Sequence, residues 1–144
     1  MERFRVAVAA GAAVAVAVAW RSLRRVEVDG ASMIPALLPG DRLVVVGRPW
    51  PPPRWPRPGE VIAVRDPREP SRVLIKRVVA VDRPRGTLEV VGDAPDASTD
   101  SRQFGPVPRA SVVGRAVYRY APVGRSGPGP WPGSTIGPDA KPQG

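Results

Sequence analysis

Two side chains could carry chemistry together, Lys76 and Ser32. Of the 22 basic residues 20 are Arg, and the second lysine, Lys141, lies in a Pro/Gly tail. Lys76 sits in the apolar run Val73-Leu74-Ile75-Lys76-Arg77-Val78-Val79. A guanidinium stays protonated, whereas a desolvated ammonium can lose its proton near neutral pH. Lys76 is therefore either a base or a strand residue whose charged tip reaches water. Leu74, Lys76, Val78 and Ala80 share one face by the period of two, so the amine emerges from an apolar surface. Ser32 lies in Val28-Asp29-Gly30-Ala31-Ser32-Met33-Ile34-Pro35, where an apolar strand enters a Gly turn. Such a turn can present a hydroxyl beside free backbone N–H groups, as an acyl-transfer nucleophile and its oxyanion site require, although most G-x-S turns are only turns. A third segment, Gly92 to Arg102, is crowded with hydroxyls and carboxylates. It reads as a solvated turn, or as a cation-binding loop without the spacing of a calcium EF-hand.

The rest of the composition narrows the mechanisms. The chain has 144 residues, 42% of them hydrophobic, a net charge of +9, and no Cys or His. That length suits one small domain with attachments. An imidazole base, a thiol nucleophile, a zinc ribbon, an iron–sulfur cluster and a disulfide are all excluded. Catalysis would rest on carboxylates, hydroxyls or an amine.

The elements that must position these groups are mostly strands. Val26 to Asp29 alternates, and Arg42 to Val46 and Glu60 to Val64 each follow a Pro-Gly turn signal. Val73 to Val81, Leu88 to Val91 and Val112 to Tyr120 complete about six short β segments. The expected fold is all-β, a compact, curved or barrel-like antiparallel sheet over residues 26–120. Ahead of it, Val6 to Trp20 is an unbroken apolar run between Arg3 and Arg5 on one side and Arg21, Arg24 and Arg25 on the other. Fifteen helical residues rise about 22 Å, short of a bilayer core of about 30 Å, but Phe4, Leu23 and snorkelling arginines lengthen it. Residues 1–25 read as a membrane anchor, with a cleavable leader ending at Ala17-Val18-Ala19 as the alternative. The nearly symmetric flanking charge does not fix orientation. The loop from Arg48 to Pro58 holds Trp50 and Trp55 among prolines; its indoles either dip into lipid headgroups or pack over a sheet edge. From Ala121 to Gly144 half of the 24 residues are Pro or Gly, which predicts a disordered tail with few contacts.

Taken in order, these segments resemble the type I signal peptidase family (peptidase family S26), the Ser–Lys proteases that remove leader peptides. Gly30-Ala31-Ser32-Met33-Ile34-Pro35-Ala36-Leu37 is similar to its G-x-S-M-x-P-x-L box and is followed by Pro39-Gly40-Asp41. Lys76-Arg77-Val78-Val79-Ala80-Val81 is similar to its lysine box. Gly92-Asp93, Ser98-Thr99-Asp100-Ser101-Arg102 and Gly105-Pro106-Val107 are similar to its third box. In size the chain is similar to mitochondrial inner-membrane peptidase subunits and to the maturation protease of nickel-type superoxide dismutase precursors.

The resemblance implies a serine endopeptidase with no metal or cofactor, on the extracytoplasmic face of the plasma membrane behind a single transmembrane helix. It makes Ser32 the nucleophile and Lys76 the general base, with Ser98 holding the amine and Asp100 and Arg102 forming a supporting ion pair. Its substrates would be precursor proteins with small-residue, Ala-x-Ala-like sites, either many preproteins or one dedicated client. Membrane lipid is an implied partner and nucleic acid is not. The sequence departs from the family at Gly30, where many members carry a Ser or Thr whose hydroxyl helps bind the oxyanion. Ala94 also stands where Asn is usual, and no Gly-Asp follows the lysine box. Met33 and Ile34 are assigned to the substrate-binding edge, with the core as the other reading. The competing class is a membrane-tethered basic adaptor, but the arginines are interleaved with Asp and Glu rather than clustered. A self-cleaving repressor would need a DNA-binding helical domain that residues 1–25 cannot supply.

Overall fold

The computed structural model describes residues 2–47 and 54–133. A helix, α1 (Glu2–Ser22), runs without an intervening turn into β1 (Leu23–Glu27). There follow β2 (Arg42–Gly47), β3 (Val61–Asp66), β4 (Glu69–Asp82), β5 (Thr87–Val91), a one-turn helix α2 (Ser101–Phe104), β6 (Val107–Pro108), β7 (Val112–Ala121) and β8 (Gly127–Pro128). Each of the six expected segments overlaps a strand, the first shifted to Leu23–Glu27 with Val28 and Asp29 outside it, and every strand pairing is antiparallel.

The strand order is β1-β2-β7-β3-β4-β5-β6, with β8 added to β7. The sheet is not closed, which corrects the barrel-like expectation. Closure would require β6 to pair with β1, and β6 is only Val107–Pro108, one of whose two residues has no N–H to donate.

β3 lies between β4 and β7, so both its edges are paired, and a core packs on each of its faces, so Val61 to Val64 are continuously buried. Its residues divide by the period of two between two cores. Val61 and Ala63 join Leu43, Val45, Ile75 and Ala116; Ile62 and Val64 join Leu74, Val78, Leu88, Val90 and Val107. Trp55 packs against the second core with the Arg109 guanidinium over its ring at 4.8 Å, so this indole covers the sheet. Trp50 lies outside the described residues.

Three boundaries change. Leu23 to Glu27 pair with β2 in register Leu23↔Val46 to Glu27↔Arg42, so Leu23, Arg24 and Arg25 belong to the sheet and not to an anchor. Among the described residues no helix is long and apolar enough to cross a membrane, and the expected transmembrane helix is corrected accordingly. The segment from Ala121 is not a loose tail as far as Gly133. β8 pairs with Tyr118 and Arg119, Trp131 is buried in the first core, and its carbonyl accepts from Arg77 at 2.7 Å. Composition hid this because a single indole supplies the apolar contact. Residues 134–144 lie outside the described part.

Candidate active site

The Ser32 turn is an excursion between β1 and β2 closed at its base by two backbone bonds. Val28 N–H donates to the Asp41 carbonyl at 2.8 Å, and Gly40 N–H to the Val28 carbonyl at 2.7 Å. Asp41, 1% exposed, fastens the turn further. Its carboxylate accepts from Leu38 N–H at 2.9 Å, Arg119 at 3.3 Å and Arg125 at 2.8 Å, while Arg119 also donates to the Ala36 carbonyl at 3.1 Å. Met33 and Leu37 anchor the turn from beneath in the first core. Between these fixed points Ser32 is half-buried, and neither its hydroxyl nor its N–H bonds to a described residue.

Lys76 comes from the middle of β4, opposite Ile62 of β3. It is 3% exposed, and its Nζ donates to Ser98 Oγ at 2.9 Å. Ser98 Oγ in turn donates to Asp100 Oδ2 at 2.6 Å. The hydroxyl has one proton, already given to Asp100, so toward Lys76 it can only accept. One amine N–H is thereby fixed, and the remaining positions on nitrogen face elsewhere.

Asp100 is fully buried and is the N-cap of α2 in a capping box, its N–H donating to Gln103 Oε1 at 2.9 Å. Its carboxylate takes Arg102 Nε at 2.9 Å, Arg102 Nη2 at 2.6 Å and the Gly92 N–H at 2.8 Å. Burial pushes this carboxyl up, but the bonds from Arg102, Ser98 and backbone N–H groups outweigh it and hold it well below the usual carboxylate range. For Lys76 the dominant effect is desolvation, which lowers its pKa. Asp100 opposes that, while the charges of Arg102, Arg68 and Arg72 add to it. Because Arg102 takes up much of the Asp100 charge, the lysine is not strongly held in its protonated form.

Ser32 and Lys76 line one cavity of about 310 Å³. Its walls are residues 27–33 on one side and Arg68 with residues 72–76 on the other, with Ala97 and Thr99 at the margin. The third segment joins the two halves. The Ala94 N–H donates to the Ser32 carbonyl at 2.8 Å, and Gly92 lies where any side chain would strike both Ser98 and the Ser32 carbonyl. Arg77 pairs with buried Asp93 at 2.8 and 2.7 Å, and Gly133 lies against that carboxylate.

A buried amine displaced toward neutrality that shares a cavity with an unengaged hydroxyl and a spare N–H is an arrangement suited to acyl transfer. The family model described as signal peptidase, peptidase S26 matches residues 1–83 and 81–121. The chain belongs to the signal peptidase S26 family. Among its S26 relatives, the mitochondrial ATP-independent inner membrane protease subunit 1b of Arabidopsis thaliana is 34% identical, over 72% of this chain and 73% of the relative. Mitochondrial inner membrane protease subunit 2 of Mus musculus is 34% identical, over 78% of this chain and 77% of the relative. Subunit 1 of Xenopus tropicalis is 33% identical, over 49% and 53%, so there the match spans about half of each chain.

Of the residues the S26 motifs singled out, Ser32, Lys76, Ser98, Asp100 and Arg102 converge around the cavity, and Gly30 lines it. Met33 is 1% exposed and packed in the first core, and it is also among the residues that line the cavity. Ile34 is exposed and is not among the residues that line the cavity. Sequence reasoning missed the fastening roles of Asp41, Gly92 and the Trp131 segment. For Asp41 the signal was an acid directly after the Pro39-Gly40 turn. The relatives are named for the mitochondrial inner membrane, so the expected plasma-membrane address is not supported.

Proposed function

We propose that this protease-family chain is an active serine endopeptidase that removes leader peptides from precursor proteins at membranes, using Ser32 and Lys76. The observation that carries the reading is the shared cavity, which both the desolvated Lys76 and the half-buried, unengaged Ser32 line. Neutral Lys76 takes the Ser32 proton as Oγ attacks the scissile carbonyl. The oxygen that becomes negative is met by the Ser32 N–H. Protonated Lys76 then gives its proton to the leaving amine, the peptide C–N bond breaks, and the acyl group remains on Ser32. Water repeats the sequence with Lys76 as base, releasing the new carboxylate and restoring the hydroxyl. Ser98 orients the amine throughout, and Arg102 keeps Asp100 ionised.

An extended peptide has a place to lie. β5 pairs with β4 from Arg77 onward, so among the described strands Val73 to Lys76 has β3 on one edge and nothing on the other. That open edge borders the cavity, and added strands bind by main-chain hydrogen bonds. Membrane attachment is assigned to α1, whose described side chains from Val8 to Ala17 are exposed, with Val14 63% and Trp20 67% open. An apolar helix with no polar face is poorly suited to water. Substrates with small, Ala-x-Ala-like sites are part of the proposal.

The test is cleavage of a leader-bearing precursor by the purified chain in lipid vesicles. Ser32→Ala and Lys76→Arg should both lose activity by several orders of magnitude with unchanged circular dichroism. Turnover by Ser32→Ala would sink the reading, and a non-enzymatic adaptor would show no cleavage in any variant.

A further inference from the structure

The cavity carries charge that hydrolysis at Ser32 does not use. Arg72 lines it, is exposed, and makes no ion pair or hydrogen bond with another described residue. Its neighbour Arg68 is different. Asp66 grips that guanidinium at 2.9 and 2.7 Å, and the Phe104 ring lies 5.7 Å away. The opposite wall holds Glu27 and Asp29, with Glu27 drawn to Arg42 at 3.5 Å. The charges are thus divided between the walls. Such a cleft attracts no class of peptide overall but distinguishes where along a peptide a charge sits.

We propose that Arg72 is a specificity-determining residue that selects an acidic side chain in the substrate, about four residues from the scissile bond. The position follows from the strand. Leu74 and Lys76 lie on one face of β4 by its period of two, and Arg72, beyond them where the β3–β4 register shifts, lines the same cavity. A peptide added along the open edge sets its own side chains beside those of β4, with Cβ atoms about 5 Å apart in directly opposed pairs. If the residue at the cut lies beside Lys76, the next on that face meets Leu74 and the one after meets Arg72. Leu74 is 9% exposed and presents a nearly closed apolar floor between them. An acid beside Arg72 gains an unpaired guanidinium; a lysine there meets like charge. This inference rests on the peptidase reading and narrows the precursors it would accept.

The experiment uses the full chain in neutral-lipid vesicles and soluble peptides with one Ala-x-Ala site and otherwise uncharged flanks. Asp or Lys is placed singly at each position three to five residues before and after the cut. The quantity read is the Asp-to-Lys ratio of kcat/KM at each position. In the wild type one position should give a ratio of about five or more, falling as salt is raised. Arg72→Glu should invert the ratio at that position and leave the other positions as they were. A ratio removes the variant's effect on Lys76, which loses one of the charges lowering its pKa. Arg72 has no hydrogen bond or ion pair to lose, only a longer-range attraction to Asp66, so the variant should fold, with the melting temperature as control. If uncharged peptide is cut but every ratio stays within twofold, or Arg72→Glu inverts none, the charge selection is overturned and the peptidase stands. If wild type cuts no peptide and no precursor, both fall.

Discussion

Gly92→Ala tests whether the site is one mechanical unit. The new Cβ would lie 2.5 Å from the Ser32 carbonyl oxygen, 2.6 Å from Ser98 Cβ, and against Ser98 Oγ. Carbon contacts settle near about 3.5 Å, so roughly 1 Å must be found. Neither neighbour is a loose end. Ser98 Oγ is held between Lys76 and Asp100, and the Ser32 carbonyl is held by the Ala94 N–H. Whichever yields, the nucleophile and the base separate or turn. Overpacking of this kind costs about 1–3 kcal/mol, while a misplacement of about 1 Å costs on the order of 100-fold in rate. The assay is precursor cleavage well below the melting temperature, with Gly30→Ala as control, since nothing lies within 4 Å of a Cβ there. We expect Gly92→Ala to lose about 100-fold in kcat and the control to stay close to wild type. A Gly92→Ala enzyme within threefold of wild type would refute the coupling.

Three further outcomes follow from the same geometry. Gly30→Ser should fit without strain and raise kcat about tenfold if its hydroxyl reaches the developing oxyanion; single-turnover kinetics would show it. The rate should climb with pH through the Lys76 pKa, which desolvation sets below its usual 10.5, while Asp100 remains ionised until well below pH 3.8. Lys76→Met should abolish that limb and all activity without lowering the melting temperature, because a buried amine is exchanged for an apolar chain. Trp131→Ala should cost about 3 kcal/mol and shift the melting temperature by about 10 °C or more, read by circular dichroism; its indole nitrogen has no partner to lose.

The strands were legible because turn signals and short apolar runs are local: Val61 to Val64 and Leu74 to Val78 are apolar enough to demand burial. Ser32 and Lys76 were legible for another reason, their residue types, a lone Lys in an Arg-rich chain and a Ser in a Gly turn. What could not be read is what depends on distant partners. β8 is two residues whose ladder is supplied by Tyr118 and Arg119, and Trp131 finds its core from a Pro/Gly segment without periodicity. α2 is a single turn, too short for a 3.6 period, and its Asp100–Gln103 capping box went unread. Closure of the sheet was overestimated because alternation does not reveal which strands are ends. The burial of Met33 was not legible, because a motif gives a residue's neighbours in sequence but not the direction of its side chain.

The direct passage from Ser22 of α1 to Leu23 of β1 makes the domain a ruler. No slack lies between the proposed lipid-facing helix and a strand locked to β2 over five residues. From Leu23 to Ser32 the chain can reach at most roughly 30 Å even when fully extended. With α1 in lipid as proposed, Ser32 would therefore work in a thin layer above the bilayer surface. A precursor would then be selected by the height at which its scissile bond stands as well as by the residues around it, and a flexible insertion after Ser22 would blur that height while leaving the chemistry untouched.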